Sequence, residues 1–248
     1  MSVKLRFACH LITWGGEQNQ NPEKVLREVA DAGYEGVEGL PIRSAEQLVE
    51  MATLAAKYKL HIVNASGPSP KDGIDYNITL GNNAAEVPAC GRNNFGGPDP
   101  TDDDFRRAGE SLKEHIQYAL EHNIKPFHHA HLWTMIETVE DAEKLLNYAP
   151  GLYLLFDTGH LTAAGSNAMR VFDKLADKIA HVHLKDFTAK DPKTWNHRKS
   201  KWGEDGRFEE LGKVMHQILT NPKSVYFLLI VFLFILFYGI YSAILRKV

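Results

Sequence analysis

Residues 151–188 constrain this chain more than any other stretch. Two apolar runs, LYLLFDTGH at 152–160 and IAHVHLKDF at 179–187, each pass directly from residues suited to a buried strand into residues suited to holding a metal. Between them SNAMRVFDKLADK carries Met169, Phe172 and Leu175 at helical spacing. Strand, helix and strand within about 35 residues is the size and order of a βαβ unit with a parallel sheet. Asp157 closes one strand and His183 lies late in the next. Both therefore belong at the carboxyl edge, where such sheets keep their sites.

The same alternation extends upstream. Residues 3–14 read as a first strand. Asn21 and Pro22 start a helix whose Val25, Leu26, Val29 and Ala30 face inward, and Gly33 ends it. YEGVEGL at 34–40 reads as a second strand, with Glu35 and Glu38 near its end. Ser44 followed by Gln47 resembles a capping box, and LHIVNAS at 60–66 reads as a third strand. From 67 to 100 the rhythm blurs into a glycine- and proline-rich stretch with weak helix and strand signals. It resumes where Thr101 and Asp104 cap a long helix striped by Phe105, Ala108, Leu112, Ile116 and Leu120. KPFHHAHL at 125–132 is the next strand, and Thr138 with Asp141 caps the next helix. Residues 207–219 read as a further helix through Phe208, Leu211, Met215 and Ile218. The 248 residues suit one barrel-sized α/β domain, placed at 1–220.

Charge is nearly balanced, 28 basic residues against 31 acidic, so nothing points to nucleic acid as a partner. Cys9 and Cys90 are too few for a disulfide framework. The opening MSVKLRFACHLITW reads as a strand and not as a secretory leader, which leaves the sequon Asn77-Ile78-Thr79 idle. There is no GxxxxGK[ST] loop, HExxH helix, GxSxG elbow or GxGxxG turn. What remains is a set of oxygen and nitrogen donors at successive strand ends: His129, His131, Glu137, Asp157, His160, His181 and His183. Carboxylates with imidazoles suit a divalent ion such as Mn, Co, Zn or Mg, and an open coordination position would polarise a substrate carbonyl or hydroxyl. Each residue also has a plainer reading, Asp157 as a turn cap and the histidines as core or rim residues. His181 and His183 share one strand face, so one can ligate while the other supports a ligand or binds substrate. Lys185 either holds an oxyanion or is salt-bridged at the rim. Trp14 and Trp133 either wall a pocket or pack.

At HAH (129–131), TMIE (134–137), DTGH (157–160) and HVHLKD (181–186), the chain resembles the xylose isomerase-like TIM barrel superfamily. The resemblance lies in its sugar phosphate isomerase/epimerase branch, among inosose dehydratase-like proteins, and ITWGGE and ADAGYEGVE agree with it. It covers roughly residues 5–219. It implies a TIM (β/α)8-type barrel with a divalent metal in its carboxyl mouth, bound by two glutamates, an aspartate and a histidine. Carried over, Asp157 and His183 match metal ligands, His160 matches a substrate-contacting histidine and Glu137 is the candidate for the first glutamate. Taken with the residue readings above, the metal set is Glu137, Asp157 and His183 and the catalytic set is Glu137, His160 and Lys185. Trp14, His129, His131, His160 and His181 line the substrate. The implied reaction is isomerisation, epimerisation or dehydration of a small polyol or keto sugar through an enediolate, in a possible homo-oligomer.

The carboxyl end departs from the pattern. Where an eighth strand ending in glutamate is expected, Val225–Leu245 is a 21-residue stretch without charge, flanked by Lys223, Arg246 and Lys247. As a helix it would span about 31 Å, the thickness of a bilayer core. The expectation is a barrel incomplete at strand eight plus a C-terminal apolar helix at 225–245, inserted in a membrane by a single pass; without that tail the chain reads as cytoplasmic. Two other functions follow as alternatives: a membrane-tethered, catalytically impaired barrel that binds a sugar, and an apurinic endonuclease-like phosphodiesterase.

Overall fold

A computed structural model describes residues 7–88, 99–209 and 211. The first strand, β1 (Ala8–His10), stops at His10 instead of running on to 14, because there the chain turns into a 3-10 helix, Leu11–Trp14; residues 3–6 lie outside the described residues. The His10 ring itself makes that turn, its Nδ1 accepting the Ile12 N–H at 3.2 Å. After α1 (Glu17–Gln20) comes α2 (Pro22–Asp31), with Pro22 in the first turn, where a missing N–H breaks no helical bond. Then follow β2 (Gly36–Glu38), α3 (Ala45–Lys57) and β3 (His61–Asn64). Ser44 Oγ caps α3 through the Gln47 N–H, while Gln47 Oε1 accepts from Arg43 N–H at 2.8 Å, so only half of the anticipated box forms.

The blurred stretch contains regular structure after all. Ser69 and Asp72 form a reciprocal capping box that starts α4 (Pro70–Thr79), and β4 (Ala84–Glu86) follows. The sequon residue Asn77 is fully buried in α4, where its side chain bonds Ala65 N–H, Ala65 O and Gly73 O. Gly96, Gly97 and Cys90 lie outside the described residues. Next come α5 (Asp102–Glu121), β5 (Lys125–His129) and α6 (Val139–Tyr148), both helices opened by threonine–aspartate capping boxes. The chain continues with β6 (Tyr153–Asp157), α7 (Thr158–Ala163), α8 (Ala168–Leu175), β7 (Ile179–His183), β8 (Asp186–Ala189) and β9 (Gly206–Glu209).

Strands β1 to β7 are all parallel and run in chain order as two sheets, β1-β2-β3 and β4-β5-β6-β7. Helices α2 and α3 close the first sheet through Val25, Leu26, Val29, Leu48 and Met51, packed with Val37 and Ile62. Helices α5 and α6 close the second through Phe105, Leu112, Ile116 and Leu145, packed with Leu154 and Phe156. Each such side chain contributes about 1.5–3 kcal/mol on burial. The α5–α6 contact depends on Gly109, where a Cβ would lie 2.4 Å from Tyr148 O.

Two expectations need correction. Residues 206–209 are not helical: β9 pairs antiparallel with β8, Phe208 opposite Phe187, because the aromatic cluster around Phe187, Trp195 and Trp202 offers Phe208 a long-range partner. Met215 and Ile218 lie outside the described residues. The fold is an incomplete α/β barrel, and the C-terminal apolar helix expected from the sequence is not found among the described residues. Among the described residues no helix is long and apolar enough to cross a membrane, and 225–245 lie outside them. Membrane insertion and a single-pass location are therefore not supported.

Candidate metal centre

The last residue of every parallel strand is polar: His10, Glu38, Asn64, Glu86, His129, Asp157 and His183. Parallel register brings these ends to one edge, and the side chains meet there. Glu38 Oε1 accepts from Asn64 Nδ2 at 2.9 Å, and Glu38 Oε2 lies 2.9 Å from His183 Nε2 and 3.0 Å from His181 Nε2. Asp157 Oδ2 lies 3.3 Å from His129 Nε2, and Glu86 Oε1 is 4.0 Å from His129 Nδ1. The His10 ring meets the His183 ring edge-on at 5.4 Å. Among the described residues, two groups hold donor atoms within 4.8 Å of one another: His10, Glu38 and His183, and His129, Asp157 and His183. His183 belongs to both.

Its two ring nitrogens divide the work. Nε2 bonds Glu38, while Nδ1 sits 3.5 Å from Asp157 Oδ2 at ion-pair distance without hydrogen-bond alignment, and is a buried nitrogen lacking a hydrogen-bond partner. Burial alone would lower the His183 pKa, but the Asp157 and Glu38 carboxylates raise it to about 9. Those carboxylates respond in kind. Burial works to raise Asp157 and Glu38, yet His129, His183 and Lys185 hold Asp157 far below the usual carboxylate range, and His181 and His183 do the same for Glu38. Glu86 is the opposite case: half-buried at the strand edge, it is raised to about 7 by desolvation and by repulsion from Glu38. Burial pushes His129 down to about 4 and His160 to about 2, so both are neutral bases near pH 7.

DTGH forms the junction of β6 and α7. Asp157 does cap, its Oδ1 accepting the His160 N–H at 2.9 Å, while its Oδ2 faces the donor group. Lys185 Nζ lies 2.8 Å from that same Oδ2, so the rim salt bridge exists. Gly159 makes room for it: a Cβ there would be 2.5 Å from Lys185 Cβ and 3.2 Å from the Phe208 ring. The His160 ring lies against His131, centroids 3.4 Å apart, and against Phe208 at 5.0 Å; its buried Nδ1 has no hydrogen-bond partner. His181 stacks on Phe127 at 5.2 Å besides bonding Glu38.

Two residues expected at the site are placed elsewhere. Trp14 ends the 3-10 helix with its Nε1–H donated to Glu28 Oε2 at 2.8 Å, a surface contact with α2. Glu137 belongs to neither donor group; its carboxylate bonds Trp133 N–H, His197 and Arg198. Sequence reasoning noted Glu38 only as lying near a strand end and gave no site role to His10 or Glu86. The available signal was shared by all three: a polar residue closing a short apolar strand.

A family model described as "Xylose isomerase-like TIM barrel" matches residues 26–225. Inosose dehydratase of Clostridium perfringens (strain 13 / Type A) is 34% identical over 91 residues, covering 36% of this chain and 31% of that protein. Inosose dehydratase of Clostridium tetani (strain Massachusetts / E88) is 38% identical over 88 residues, 35% of this chain and 30% of that protein. The match thus spans about a third of these curated relatives' length. Among solved structures, a probable 3-DHS dehydratase from Bacillus anthracis superposes with a TM-score of 0.58 at 15% identity, covering 75% of this chain and 74% of that one. D-allulose 3-epimerase from Methylomonas sp., in complex with D-allulose, gives 0.58 at 16% identity, covering 73% and 72%. At these identities the structural likeness establishes the fold alone.

Proposed function

The chain belongs to the xylose isomerase-like TIM barrel family, and on that premise we propose that it is a divalent-metal-dependent isomerase, epimerase or dehydratase of a small polyol or keto sugar. The observation that carries this reading is the convergence of polar strand ends on His183, which places two buried carboxylates on either side of one imidazole. The donor set fits such an ion: nitrogen and carboxylate oxygen only, with His183 Nδ1 left without a hydrogen bond.

Asp157, His183 and His129 would hold the metal. Glu38, bonded to His183 Nε2, orients that ring so that Nδ1 is presented on the Asp157 side, the usual way a second carboxylate fixes a ligating histidine. When bound, Mn, Co, Zn or Mg would polarise a substrate carbonyl and acidify the neighbouring C–H. Proton transfer then needs a base of near-neutral pKa, and Glu86 Oε1 meets that need better than any carboxylate singled out from the sequence. Lys185 is set to receive negative charge developing on a substrate oxygen, and His131 and His160 offer neutral imidazoles for hydroxyl groups. The choice of inosose over another ketose follows the inosose dehydratase relatives and stands as part of the proposal.

The test is metal analysis of the full chain together with deuterium exchange into a panel of ketoses, inosose included. Stoichiometric divalent metal with exchange at the carbon beside the carbonyl is expected. A folded protein with neither would overturn the reading.

A further inference from the structure

Glu137 is only 3% exposed, yet it carries a carboxylate between two segments that lie outside the parallel strands. One is its own loop, residues 130–138 after β5. The other is the arm of residues 190–205 that leaves β8 and returns as β9. From the loop, Glu137 Oε1 accepts the Trp133 N–H at 2.7 Å. From the arm, Arg198 Nη2 donates to Oε2 at 3.1 Å and His197 Nε2 lies 3.2 Å from it; Arg198 also bonds Asp99 at 2.7 Å.

Two further observations tie this carboxylate to the mouth. Trp133 has φ +65°, a left-handed conformation that a bulky residue adopts at a cost of about 1–3 kcal/mol and keeps only where its surroundings hold it. The Glu137 bond to its N–H is such a hold, and it shapes the turn directly after His131. The arm is also seated on α7, where Trp195 Nε1–H donates to Ala163 O at 2.8 Å. Its returning strand sets Phe208 against the His160 ring, with Lys185 Nζ 5.7 Å from the Phe208 centroid.

We propose that Glu137 is a positioning residue: its buried carboxylate clamps the 190–205 arm to the loop after β5. It thereby fixes the wall that His131, His160, Lys185 and Phe208 build beside the metal centre. The claim about the wall rests on reading that mouth as the sugar site; the claim about the clamp does not.

Glu137→Gln tests it, since the amide keeps an acceptor for the Trp133 N–H and loses the charge facing Arg198. Amide hydrogen exchange in residues 190–205 is expected to quicken by about tenfold or more. Mn affinity of the full chain should stay within about threefold, because the residue is outside the donor groups. KM for any ketose turned over should rise by more than kcat falls. Arg198→Gln, made from the arm side, should quicken the same segment and guards against a Glu137 variant that does not fold. Mn affinity weakened more than about 100-fold with arm exchange unchanged would make Glu137 a ligand and overturn the proposal. A kcat loss of about 10²–10⁴ with arm exchange unchanged would make it a catalytic acid or base, with the same result. If no sugar is turned over at all, the exchange and Mn measurements still decide the clamp.

Discussion

Asp157→Asn separates the structural from the chemical duty of the residue at the heart of the site. The amide oxygen can still accept the His160 N–H that opens α7, so the cap, itself worth about 1 kcal/mol, is retained. What disappears is a fully buried negative charge facing Lys185 Nζ at 2.8 Å, His129 Nε2 at 3.3 Å and His183 Nδ1 at 3.5 Å. Removing one partner of a buried ion pair costs about 3–5 kcal/mol, because the opposing charge is stranded. Here Lys185 is 29% exposed and can turn to water, and His183 keeps Glu38. The expected loss for metal-free protein at pH 7 therefore lies at the low end, about 3 kcal/mol. Metal binding should suffer more, by over about 100-fold, since losing an outer partner alone costs 10–100-fold. Urea denaturation of the metal-free protein gives the first figure and calorimetric titration with Mn the second. A folded variant that binds Mn within about threefold of the parent would remove Asp157 from the metal centre and refute the reasoning.

Gly109→Ala should destabilise by about 1–3 kcal/mol despite the better helix propensity of alanine, because the new methyl meets the Tyr148 backbone. A gain in denaturation midpoint would show that α5 and α6 are not that close. Acid sensitivity follows from His128, which is fully buried with a pKa lowered to about 4 by burial. The unfolded chain takes up that proton below about pH 6.5 and the folded one does not, so stability falls as pH drops from 6.5 toward 4, by about 3 kcal/mol for this group. His128→Gln should flatten the stability–pH curve over that window, and parallel curves would refute the assignment.

The parts of the fold legible in the sequence are those whose signals are local. Thr101 with Asp104 and Thr138 with Asp141 announced two helices, and both are present with reciprocal caps. Ser69 and Asp72 carry the same signature before α4, but Gly73 and the buried Asn77 interrupt the apolar stripe that would have confirmed it. Phe208 failed for the converse reason. It continues a plausible helical pattern, and only Phe187, twenty-one positions upstream, makes it a strand residue.

The site divides along the same line. Asp157 and His183 stood out because each closes a five-residue apolar strand, long enough for the pleat to be read. His10, Glu38 and Glu86 close strands of three residues, on which a period of two has almost nothing to act. Their importance arises from register: His10 stands opposite Glu38 on β2, and Glu38 then reaches β7, 145 positions away in the chain, to meet His183. A slip of one residue in any of these short strands would turn its terminal side chain to the opposite face. The centre is therefore specified less by the ligands themselves than by the helix packing that fixes strand register. Gly109, at the α5–α6 contact and outside both donor groups, belongs to that packing and not to the chemistry.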